Sequence, residues 1–134
     1  MTDTSKKIVV VEDDLAMREI VVHKLSAKGF YVKEADNGQK GLELIETEKP
    51  NLVLLDLMMP ELDGFGVLEL LRKNPDKKLA ATPVIVLSNL WSNEDILKAK
   101  SLGVVDFLVK AYFTPEDIFA KINAVLGKNK INIT

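Results

Sequence analysis

The chain has 134 residues, enough for one domain with a sizeable buried core. Its 47% hydrophobic and 28% charged residues are a globular composition, and a net charge of −2 with interspersed signs lacks the one-sided positive field of a nucleic-acid-binding surface. The absence of cysteine excludes disulfides, thiolate metal sites and cysteine nucleophiles, and no apolar run approaches the roughly 18 residues of a membrane helix.

A polar tail over 1–6 leads straight into an apolar run too short for a secretory signal, so a cytoplasmic location is expected. The run Ile8 to Val11 reads as a buried strand, apolar on both faces. Met17, Ile20, Val21 and Leu25 then recur at helical spacing, with Gly29 as the stop. Phe30 to Ala35 is partly polar and fits an edge strand. Gly41, Leu44, Ile45 and Glu48 mark a second helix closed by Pro50. Leu52 to Leu55 is a third strand, and Asp63 is the N-cap of a helix carrying Phe65, Leu68, Leu71 and Arg72.

Arg72, Lys73, Lys77 and Lys78 are interrupted by Asn74-Pro75-Asp76 and read as a solvated turn rather than an anion patch. Val84 to Leu87 is a fourth strand. A helix from Ser92 or Asn93 runs through Ile96, Leu97 and Lys100 to Gly103. Val104 to Val109 is the fifth strand. Thr114 caps a last helix, with Pro115 at its first and Asp117 at its third position, carrying Ile118, Ile122, Val125 and Leu126 to Gly127. A short tail over 128–134 is expected. Strict βα alternation implies one α/β domain over 1–134, a doubly wound parallel sheet with right-handed crossovers.

Ligands of such sheets collect at the carboxyl ends of the strands. Glu12, Asp13 and Asp14 follow the first run, Asp56 the third, Ser88 the fourth and Lys110 the fifth. Taken singly, each is ordinary turn, cap or surface chemistry. Together they put carboxylates, a hydroxyl and an ammonium on one rim, an oxygen-only set suited to Mg²⁺, with Mn²⁺ as the alternative. Lys110 and Ser88 would hold phosphoryl oxygens if Asp56 were the nucleophile of an aspartyl-phosphate. Asp14 reads as a cap rather than a ligand. His23, the single histidine, reads as a solvated helix residue.

The order and spacing of Val9-Val10-Val11-Glu12-Asp13-Asp14 with Arg18, Asn51-Leu52-Val53-Leu54-Leu55-Asp56-Leu57-Met58-Met59-Pro60, Asp63-Gly64, Pro83 to Ser88, Gly103 to Lys110 and Thr114-Pro115-Glu116 resemble the receiver domain of two-component response regulators. The resemblance covers nearly the whole chain. It implies a flavodoxin-like fold of five strands in the order 2-1-3-4-5 with five helices. It makes Asp56 the phosphoacceptor, Asp13 a direct Mg²⁺ ligand, Glu12 a ligand mostly through water, and Met58 a ligand by its backbone carbonyl. It makes Ser88 the switch hydroxyl, Lys110 the partner of Asp56, and Phe107 the switch aromatic, for which plain core packing is the alternative. A sensor histidine kinase or phosphotransfer protein would donate the phosphoryl group. The changed face of the fourth helix, fifth strand and fifth helix would control a downstream protein or a phosphorylation-dependent homodimer, with no direct contact to nucleic acid or membrane.

The sequence departs from the family at Ala111, which stands after Lys110 where proline is common. A cis bond before alanine would cost about 2.5–4 kcal/mol, so the loop is either trans or strained. Met58 and Leu90 are apolar at positions that influence hydrolysis, so slow self-dephosphorylation is expected. Two other functions compete: a degenerate receiver acting as a binding module, and a Mg²⁺-dependent phosphatase of the haloacid-dehalogenase kind. The phosphatase wants an acid two residues after its nucleophile, where this chain has Met58, so no enzyme beyond self-phosphorylation and self-dephosphorylation is expected. Closure just after the fifth helix suits a stand-alone regulator, a relay intermediate or a receiver from a longer protein.

Overall fold

The computed structural model describes residues 6–59, 62–89 and 92–131. Pro60 of the motif that follows the third strand, Leu90, Trp91 (a fluorescence reporter) and the outer parts of both expected tails lie outside these residues. The elements run β1 (Lys7–Val11), α1 (Leu15–Ala27), β2 (Tyr31–Ala35), α2 (Gly38–Glu48), β3 (Leu52–Leu55), α3 (Gly64–Arg72), α4 (Lys77–Ala80), β4 (Val84–Ser88), α5 (Asn93–Ser101), β5 (Asp106–Val109) and α6 (Pro115–Ile131). A 3₁₀ turn over Lys110–Tyr112 links β5 to α6.

The strands form one parallel sheet in the order β2-β1-β3-β4-β5. Its two faces are packed by alternate residues, which is why the strand runs read as continuously apolar. Val9, Val11, Val53, Leu55, Val84 and Val86 pack with Ile45, Val67, Leu68 and Leu71 of α2 and α3. Ile8, Val10, Leu52, Leu54, Ile85, Leu87 and Leu108 pack with Val21 and Leu25 of α1 and Ile118 and Ile122 of α6. Burying such a side chain stabilises by about 1.5–3 kcal/mol.

Helix starts follow the expected caps. Asp14, Asp63 and Ser92 each accept an amide N–H three residues on, and Thr114 does so from Asp117, whose carboxylate accepts the Thr114 amide in return. Gly29 and Gly103 end their helices at φ of 98° and 75°, conformations that glycine adopts freely.

Several expectations are corrected. The described residues form six α-helices rather than five, the extra one being the single turn α4. The segment read as a solvated turn contains α4, where Asp76 accepts the amides of Lys78 and Leu79 at 3.1 and 3.2 Å and Leu79 is buried. One turn is too short to show a helical period. The last helix continues through Gly127 to Ile131, so no tail begins at 128. Gly127 has no left-handed φ to turn the chain out of the helix. β5 spans Asp106–Val109 rather than starting at Val104, and Val105 before it is 46% exposed. Ile20 and Leu97, placed on helix apolar patterns, are 50% and 66% exposed.

Candidate functional site

The order reverses direction at β1 and β3, and the carboxyl ends of these strands carry the buried charge. Glu12 directly follows β1, its amide donating to Ala35 O at 3.0 Å. Asp56 directly follows β3, its amide donating to Val11 O at 2.9 Å. Each strand thus extends its ladder by one residue and leaves an acid at the rim. Both side chains are buried, at 4% and 3% exposure, whereas the neighbouring Asp13 is exposed.

Lys110, the first residue of the 3₁₀ turn, reaches back across the rim. Its Nζ donates to Glu12 Oε2 at 2.9 Å and to Asp56 Oδ2 at 3.3 Å. The Asp14 amide donates to Glu12 Oε2 at 3.1 Å, and the Met58 amide to Asp56 Oδ1 at 3.1 Å. Glu12 Oε1 is buried and has no hydrogen-bond partner, alone among the described buried side-chain atoms.

Two carboxylates share one ammonium in a poorly solvated place, and the acidities respond. Burial pushes Glu12 from its ordinary 4.5 up to about 7; the Lys110 hydrogen bond opposes this and the Asp56 charge adds to it. Burial likewise raises Asp56, although Lys110 and the Met58 amide favour its ionised form. For Lys110 burial works downward, but its bonds and attraction to Glu12 and Asp56 win and its affinity for the proton rises. With both acids ionised, the cluster carries one more negative charge than Lys110 compensates, and the raised proton affinities are the response to that surplus and to burial. Carboxylate oxygens of Glu12, Asp13 and Asp56 all lie within 4.8 Å of one another. An all-oxygen set with an unpartnered buried oxygen fits a hard divalent cation.

The remaining expected residues stand nearby. Ser88 ends β4, is 1% exposed and lies opposite Val109 in the register of β5. It makes no hydrogen bond to the Glu12–Asp56–Lys110 group in this structure. Phe107 is half-buried on β5 and packs on the face built by Val53, Val84 and Val86. Met58 brings its amide to Asp56 while its side chain is 69% exposed. Asp14 is a cap, accepting the Met17 amide at 3.0 Å. His23 is exposed. No described peptide bond is cis, so Lys110–Ala111 is trans.

Sequence reasoning gave no role to two residues that shape the site, nor to Arg72 at the opposite ends of the strands. A Cβ at Gly64 would lie 2.5 Å from Asp56 O and 2.6 Å from Leu57 Cα, so only glycine lets α3 start against the acceptor's backbone. The Asp63-Gly64 pair was the available signal. Arg18 joins Glu34 to the Glu12 carbonyl. Arg72, assigned to a solvated turn, instead donates to Ala80, Thr82, Leu102 and Gly103 carbonyls. No periodicity marks contacts of that kind.

The family model described as "Response regulator receiver domain" matches residues 8–123. The chain belongs to that family. As a receiver domain it is part of two-component signalling. The receiver domain is 40% identical over 123 residues to the "Probable transcriptional regulator ycf27" of Porphyridium aerugineum, covering 92% of this chain and 49% of that relative. It is 35% identical over 122 residues to the "DNA-binding dual master transcriptional regulator RpaA" of Synechocystis sp., covering 91% and 49%. The chain thus spans about half the length of these curated relatives. A CheY-like receiver domain protein of Methanospirillum hungatei superposes with a TM-score of 0.85 at 26% identity, over 96% of this chain and 98% of that one. For the chemotaxis protein CheY4 of Vibrio cholerae the values are 0.82 and 26%, over 90% and 98%. None of the described helices of the receiver domain is long and apolar enough to cross a membrane.

Proposed function

We propose that this receiver domain is a switch thrown by phosphorylation of Asp56. The observation that carries the reading is the buried Glu12–Asp56–Lys110 cluster with its surplus negative charge and one unpartnered oxygen. Asp13, Asp56 and the Met58 carbonyl would hold Mg²⁺ directly, with Glu12 acting mostly through water. When bound, the ion supplies compensation for charge on the acceptor and the transferred group.

An Asp56 carboxylate oxygen would attack the phosphorus of a phosphohistidine on a sensor kinase or phosphotransfer protein. A P–O bond forms as the P–N bond breaks, and its electron pair returns to the imidazole. Lys110, already 3.3 Å from Asp56 Oδ2, would pair with a phosphoryl oxygen, and the Ser88 hydroxyl would donate to another. The modification adds about −1.5 to −2 charge. Ser88 and Phe107 would pass the change to α5, β5 and α6. That surface would control a downstream protein, a second copy of the receiver, or a DNA-binding output of the kind named for the Synechocystis relative.

An aspartyl-phosphate phosphatase is disfavoured because the exposed apolar Met58 offers no acid beside Asp56. The same feature supports a phosphoryl group that persists.

Incubation with acetyl phosphate and Mg²⁺, followed by intact mass, tests the reading. One phosphoryl adduct is expected, absent in Asp56→Ala and persisting for minutes after donor removal. Failure of the wild-type chain to form an adduct would overturn the switch in favour of a binding module. Continuous release of phosphate would indicate an enzyme.

A further inference from the structure

Lys110 meets Glu12 and Asp56 from one side, and Arg18 is the one cation among the residues lining the small recess beside the same two acids. It projects from the first turn of α1 and is only 13% exposed. Its Nε donates to Glu34 Oε1 at 2.9 Å, and a terminal N–H donates to the backbone oxygen of Glu12 at 2.8 Å. A solvated arginine on a helix, worth little even when ion-paired, would look different.

The contact falls at a particular peptide. The Glu12 amide is already held by Ala35 O on β2, and the Glu12 carbonyl is held by Arg18. Residue 12 is thereby gripped on both sides, and the peptide it fixes joins the two neighbouring acids Glu12 and Asp13. Those acids supply two of the three clustered carboxylates. The planar guanidinium makes its two bonds in fixed directions, which a lysine ammonium cannot copy. Glu34, projecting from the edge strand β2, orients the fork and offsets its charge, so the recess is not made repellent to a cation.

We propose that Arg18, oriented by Glu34, is a positioning residue for a divalent cation. By pinning the Glu12 carbonyl it presets the Glu12–Asp13 pair for the ion. The inference rests on the reading of Glu12, Asp13 and Asp56 as the cation site.

Mn²⁺ titration of the full chain, with free ion counted by electron paramagnetic resonance, tests both levels. Removing partners that orient metal ligands typically costs 10–100-fold in affinity. Arg18→Met is expected to weaken Mn²⁺ binding about tenfold, at the low end of that range. Arg18→Lys, which keeps the charge and loses the fork, should weaken it nearly as much, and Glu34→Gln less. In acetyl phosphate reactions the Mg²⁺ concentration for half-maximal rate should rise by the same factor. The rate at saturating Mg²⁺ should stay within about twofold.

A purely structural role would lower the melting temperature in EDTA and the saturated rate without moving the half-saturation point, and would overturn the proposal. Should Arg18→Met fail to fold, Arg18→Lys and Glu34→Gln carry the comparison, and wild-type affinity in both overturns it. Asp13→Asn separates the levels. If it binds Mn²⁺ like wild type, the cation site itself is misplaced and the proposal falls with it. If it binds weakly while Arg18→Met binds normally, only the role of Arg18 fails.

Discussion

Glu12 shows how burial sets the chemistry of a single group. Its carboxyl gains an ammonium contact at 2.9 Å and yet is pushed from 4.5 up to about 7, because the loss of solvent and the charge of Asp56 outweigh that contact. Between those two values the folded chain holds a proton that the unfolded chain has released. The group's stabilising contribution is therefore fully present below about pH 4.5 and is lost as pH rises through about 7. In EDTA the wild-type chain should lose stability from pH 5 to pH 8, on the order of 2 kcal/mol, and Glu12→Gln should flatten that slope. Urea denaturation at a series of pH values measures it. A wild-type slope that survives in Glu12→Gln would assign the effect to another group. Glu12 was legible in the sequence as an acid after a strand. Its displaced acidity was not, because that depends on burial in the fold and on Asp56 arriving beside it from the end of β3.

At the scale of elements, local chemistry was readable and clamps between elements were not. Asp14, Asp63, Ser92 and Thr114 declare helix starts because a cap acts within its own turn. Arg72 gave no such sign. It ends α3 and donates to carbonyls at Ala80, the last residue of α4, at Thr82 in the link to β4, and at Leu102 and Gly103 beyond α5. The guanidinium thereby ties the ends of two helices to the start of β4, and burial makes it easier to deprotonate than an ordinary arginine. Arg72→Met keeps much of the apolar stem and strands these carbonyls. It should cost about 2–4 kcal/mol in urea denaturation, since hydrogen bonds from a charged donor are worth about 1.5–3 kcal/mol each and water will recover part of the loss. Arg72→Lys should recover only a fraction, having no fork. A loss below about 0.5 kcal/mol, the range of an ordinary surface substitution, would show that the clamp is replaced by solvent.

Across the whole molecule, alternation of strands and helices predicted the parallel sheet, and the family resemblance supplied its order. The order matters because it sets β1 beside β3, bringing the ends of two non-consecutive strands into one charged rim. From that rim β4 and β5 lead away through Ser88 and Phe107 to a surface with unusually exposed apolar groups. Leu97 on α5, Val105 before β5 and Tyr112 in the following turn are 66%, 46% and 77% exposed. Sequence could not mark them. Leu97 fits a helical apolar pattern as well as a core residue does, and only the fold shows which side of α5 is covered. Single exposed apolar residues are common on protein surfaces, so only a contact test decides whether these three act together. If they form the output surface, the acetyl-phosphate-treated chain should shift toward a dimer in light scattering after gel filtration. Leu97→Ser with Tyr112→Ser should abolish that shift and leave adduct formation at Asp56 unchanged. A dimer that survives the double substitution would move the interface elsewhere. A chain that stays monomeric with a full adduct would remove the homodimer and leave a separate protein as the reader of the switch.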